Sequence, residues 1–123
     1  MPVRSLNSSV LKWPALNQVD KAVRKWSDQL ATKHGEIEKV GYFGSYACGN
    51  WGVGSDLDII IIVSESELPF FRRATLYDAT SLPVPADLLV YTRSEWENPG
   101  RMASFVQRIN QEVVWVLESF GTR

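Results

Sequence analysis

Residues 41–63, GYFGSYACGNWGVGSDLDIIIIV, begin as a glycine-rich turn and end as an apolar strand, with Asp56 and Asp58 at the junction. Residues 59–63 are apolar at every position, whereas a strand with one wet face alternates. A central strand covered on both sides is implied, in an α/β (α+β) fold with helices packed on the sheet. Side chains alternate across a strand, so Asp56 and Asp58 share a face, ~7 Å apart at about 3.3 Å per residue. Two carboxylates this close are costly unless a cation neutralises them, and oxygen-only ligation suits magnesium, which keeps waters and shares its shell with phosphates.

The flanking sequence supplies the rest of such a sheet. From Leu16 to about Lys33, Leu16, Val19, Val23, Trp26 and Leu30 recur at helical spacing, and Gly35 suits a helix stop. Ile37 to Phe43 reads as the first strand, Gly44 to Ser55 as a loop and Asp56 to Val63 as the second strand. Ser66 is placed to cap a helix through about Asp78, with Pro69 in its first turn and Leu68, Phe70, Phe71 and Leu76 inward. Residues 84–91 form the third strand. Ser94 and Glu97 have capping-box spacing, although Pro99 and Gly100 favour a helix over about 101–110, followed by an edge strand EVVWVLE at 112–118. About four strands result, in one domain spanning 1–123, with 1–15 as an extended lead-in.

Bulk composition bounds the function. Thirteen basic residues nearly cancel 14 acidic ones, which argues against a phosphate-neutralising nucleic-acid binder. The single cysteine, Cys48, excludes an intrachain disulfide framework and fits a reducing cytoplasm. The longest apolar run, Leu57 to Val63, is broken by Asp58 and far too short to span a bilayer. A soluble, cytoplasmic protein is the expectation.

A third carboxylate, Asp87, stands in PADLLVY, an apolar strand where a charge needs a reason. If that strand lies beside the second, Asp56, Asp58 and Asp87 form a site able to hold two metal ions, suited to phosphoryl or nucleotidyl transfer. Gly44 and Ser45 end the first strand, and a Gly-Ser turn offers backbone N–H groups and a hydroxyl to phosphate oxygens. Alternatively, Asp87 after Pro85 is a turn residue, Ser45 caps a helix, and Asp56 and Asp58 are solvated strand-start residues. Cys48 reads as a small loop residue rather than a nucleophile, His34 as a surface residue at a helix end, and Trp51 equally as a stacking or a packing aromatic.

Gly44-Ser45, ten residues, then Asp56-Leu57-Asp58 resembles the signature of the minimal nucleotidyltransferases of the DNA polymerase β-like superfamily, Gly-Ser, ten residues, Asp-x-Asp. Ala47, Gly49 and Ser55 also match the fuller family loop. The resemblance implies a mixed sheet, catalytic and metal-binding roles for Asp56, Asp58 and Asp87, and phosphate contacts from Gly44, Ser45 and Ser55. It further implies two Mg2+ ions, ATP as substrate and transfer of AMP to a hydroxyl. Small members often pair with a helical HEPN-type partner, as antitoxins that neutralise it; homo- and hetero-oligomers are both open. Cys48 departs from the pattern, where the family commonly has Arg, a residue able to charge-pair with phosphate or brace the loop. A competing reading is therefore a catalytically weak or silent module that neutralises its partner by binding alone. A small-molecule nucleotidyltransferase is a third, but such enzymes usually need a further domain.

Overall fold

The apolar run after Asp58 becomes a fully buried strand. In this computed structural model, which describes residues 15–49, 52 and 54–118, the second strand spans Leu57–Val63 (β2), and all its residues but Asp58 are buried. The expected lead-in, Ala15 apart, and Trp51 lie outside the described residues.

β2 is flanked by the strand Ile37–Phe43 (β1) and the strand Ala86–Thr92 (β3), and Val114–Glu118 (β4) adds to the far side of β1. The order is β3-β2-β1-β4; β1 runs antiparallel to β2 and β4, while β2 and β3 run parallel. The mixed four-stranded sheet agrees with the sequence reading.

Both faces of β2 are covered. Leu57, Ile59, Ile61 and Val63 meet Val19, Val23, Trp26 and Leu30, the apolar stripe of the helix Leu16–Lys33 (α1), and Val40 and Tyr42 of β1. Ile60 and Ile62 pack on the opposite face with Phe43, Trp96, and Val106 and Ile109 of a second helix. The indole N–H of Trp26 donates to the Asp78 carbonyl at 2.8 Å, tying α1 to the connection that enters β3.

Four local readings are corrected. Gly44–Ser55 is not wholly loop: Ser45–Cys48 forms a single helical turn (α2). The helix expected from Ser66 shrinks to Phe70–Arg73 (α3) and a 3₁₀ turn Ala74–Leu76. Phe71 is 78% exposed and Phe70 and Leu76 are also exposed, because the inward positions go to Arg73 and Tyr77. Arg73 is buried without an unpaired charge: it donates twice to Glu95, at 2.6 and 2.9 Å, and to the carbonyls of Leu68 and Val90. Ser66 merely accepts from the Leu68 N–H at 3.2 Å.

The capping box lies two residues before the expected one, at Thr92 and Glu95, opening the short helix Arg93–Glu97 (α4) where β3 ends. After a 3₁₀ turn at Gly100–Met102, the last helix spans Ala103–Glu112 (α5), so Glu112 ends a helix instead of starting the edge strand. The helix outruns the expected end by two residues, its hydrogen bonding closing with the Val113 N–H on the Ile109 carbonyl at 2.8 Å.

Ile61 is fully buried on the α1 face. Ile61→Ala should cost about 2–5 kcal/mol of stability, seen as a lower urea midpoint at unchanged m-value.

Candidate active site

The start of β2, the start of β3 and the end of β1 meet at one end of the sheet because β1 opposes the two parallel strands. Parallel register places Asp58 directly beside Asp87, and antiparallel register places Phe43 opposite Asp58. Asp56 immediately precedes β2 and is exposed, as is Asp87, while Asp58 is half-buried. An open cleft of about 1330 Å³ reaches this end of the sheet; Phe43, Asp58 and Asp87 form part of its wall, together with Thr80, Pro83 and Pro85.

Electrostatics couple Asp58 to its acidic neighbours. Partial burial, then the negative charges of Asp87, Asp56 and Glu112, push the Asp58 carboxyl above its ordinary value of 3.8. Among the described residues, no three metal-ligating side chains already converge as a preformed cluster. The donor set nevertheless fits magnesium, which takes one or two carboxylates and completes its shell with water and phosphate.

Gly44 ends β1 and leads into α2 with φ +77° and ψ −147°, a region essentially reserved for glycine. A Cβ there would collide with Asp58 Oδ2. The glycine therefore lets the turn approach the carboxylate pair closely. Its N–H donates to Glu112 Oε1 at 3.1 Å. Ser45 is half-buried and opens α2. Ser55, also half-buried, accepts at its hydroxyl from the Gly52 N–H at 2.8 Å, bracing the loop, and its carbonyl accepts from the buried Tyr46 hydroxyl at 3.4 Å.

Glu112 is the residue that sequence reading missed. Its Oε2 accepts from the Cys48 thiol at 3.5 Å. The signal was present: Val106, Ile109 and Glu112 follow at i+3 steps, so the acid continues an inward stripe. The exposed Cys48 thiol is pushed up by desolvation and by the hydrogen bond and charge of Glu112, with Arg108 opposing. It is no activated thiolate. His34, expected at the surface, is half-buried edge-on to the Tyr77 ring at 4.9 Å and stays outside the site.

Comparison with known proteins agrees with this architecture. The nucleotidyltransferase domain family matches residues 23–116, and the chain belongs to that family. A crystal structure from Sulfolobus solfataricus, described as a candidate nucleotidyltransferase, is 23% identical with a TM-score of 0.56, over 68% of this chain and 75% of that one. A chain of a toxin–antitoxin crystal structure with AMP-PNP is 17% identical with a TM-score of 0.53, over 77% of this chain and 73% of that one. Both share the fold. No protein of curated function matches the chain significantly.

Gly44→Ala should lower stability by about 1–3 kcal/mol in denaturant titration, through backbone strain and the displaced Asp58. Gly49→Ala, at a positive φ but in open space, is the milder control at about 1 kcal/mol.

Because the folded protein holds the Asp58 proton more tightly than the unfolded chain, stability is lost as pH rises from 3.8 through the raised value. Asp58→Asn should therefore raise the thermal midpoint of metal-free protein at neutral pH. The gain should shrink in acid, where the wild-type carboxyl is also neutral, as thermal scans across pH will read.

Proposed function

We propose that this domain is a magnesium-dependent nucleotidyltransferase that moves AMP from ATP to a hydroxyl on a helical, HEPN-type partner protein. The observation that carries the reading is the Asp58–Asp87 register pair with the Gly44 turn packed against it. The toxin–antitoxin neighbour with AMP-PNP supports both the nucleotide and the protein partner.

In this reading Asp56 and Asp58 hold the nucleotide's magnesium, and Asp87 shares a second ion. The bound metal would supply Lewis-acid stabilisation of the phosphate charge. Asp87, exposed and lining the cleft, accepts the proton of the attacking hydroxyl. Ser45 and the turn around it hold the triphosphate tail, and Ser55 keeps the loop in shape through Gly52. The AMP phosphate gains its bond to the acceptor oxygen as the bond to pyrophosphate breaks.

One observation favours a second reading, a silent module that neutralises its partner by binding: position 48 carries a thiol bound to Glu112 and brings no cation to the loop. The two separate on labelled ATP with magnesium and a HEPN-type partner. Active wild type, with label transfer abolished in Asp56→Ala/Asp58→Ala and reduced about a hundredfold in Asp87→Asn, supports the enzyme. Transfer that survives the double substitution sinks the site assignment. Transfer that appears only in Cys48→Arg supports the silent module.

A further inference from the structure

We propose that Glu112 is a positioning residue, which ties the Gly44–Cys48 turn to the end of α5 and thereby sets that turn's distance from the Asp58–Asp87 pair. Both carboxylate oxygens are used, on the two ends of one structural unit: Oε1 takes the N–H of Gly44, which precedes α2, and Oε2 takes the thiol of Cys48, which ends it. Residue 112 is 68 positions from residue 44 in the chain, so the tie is purely tertiary.

Two features of the position work against a carboxylate. Glu112 is the last residue of α5, where the helix dipole disfavours negative charge. It also lies in the field of Asp58, itself beside Asp87. Against those two penalties stands a charge-assisted hydrogen bond to a backbone N–H, stronger than a neutral one. That N–H belongs to the residue whose missing side chain lets the turn touch Asp58. A shift at Glu112 is thus passed directly to the groups around the carboxylates.

The same geometry bears on position 48. Its side chain faces Glu112 across 3.5 Å. An arginine at position 48 of this chain would have a carboxylate within reach inside the protein.

The consequence for nucleotide rests on the function proposed above; the tie itself does not. Two readouts keep them separate: hydrogen exchange of the Gly44 amide in metal-free, 15N-labelled protein, and Mg–ATP affinity by calorimetry. Glu112→Ala should speed Gly44 exchange and weaken Mg–ATP binding, each by about tenfold, as expected for loss of a hydrogen bond to a charged group. Glu112→Gln keeps an acceptor and should stay within about threefold of wild type on both.

Should the alanine variant fail to fold, Glu112→Asp, which withdraws the carboxylate by one methylene, replaces it with the same expectation. Folded Glu112→Ala protein with unchanged Gly44 exchange overturns the proposal, as does a glutamine variant as impaired as alanine. If wild type binds no Mg–ATP, the nucleotide reading falls and the Gly44 exchange alone decides the tie.

Discussion

Everything at the candidate site depends on one strand being buried on both faces and paired on both edges. β2 can carry polar groups only where it emerges from that enclosure, and it emerges at Asp56 and Asp58. The pairing with β3 then does what side-chain chemistry alone could not: parallel register sets Asp87 beside Asp58, two like charges on neighbouring strands. The stiffness of the isoleucine strand is what makes the carboxylate geometry persistent.

A rigid array of acids works against the stability of the metal-free fold. Asp58 shows the cost, held above its ordinary range by burial and by Asp87, Asp56 and Glu112. Sites of this kind are where a protein gives up stability for a task, because the charge has no hydrogen-bond or ion-pair partner among the described residues. The contrast is the Arg73–Glu95 pair, equally charged and partly buried, where each group satisfies the other and the result clamps β3 to its neighbouring connection.

Much of the fold was legible in the sequence, and for identifiable reasons. α1 and β1 match the expected limits, since 3.6-residue spacing and a β-rich run bounded by glycines are strong local signals. The segment after β2 was misread because Phe70, Phe71 and Leu76 look like a helix's inner face, while the buried group is Arg73, whose partners lie on β3 and α4. Likewise the strand-like run at 112–118 hid a helix end, since the hydrogen bonding of α5 continues as far as the Val113 N–H on the Ile109 carbonyl. Local pattern cannot price contacts that form only across the sheet.

By itself the sequence determined the central buried strand, the two carboxylates at its mouth and the glycine turn separated from them by ten residues, because each is a consequence of local periodicity, backbone freedom and spacing. The tertiary structure decided which groups those features meet. It paired Asp87 with Asp58, turned the Gly44 N–H toward Glu112 and set Cys48 on the same carboxylate. The physical reason is that register and helix packing are set by the burial of residues far apart in the chain, so a carboxylate at position 112 and a glycine at position 44 become neighbours only once the sheet between them has formed.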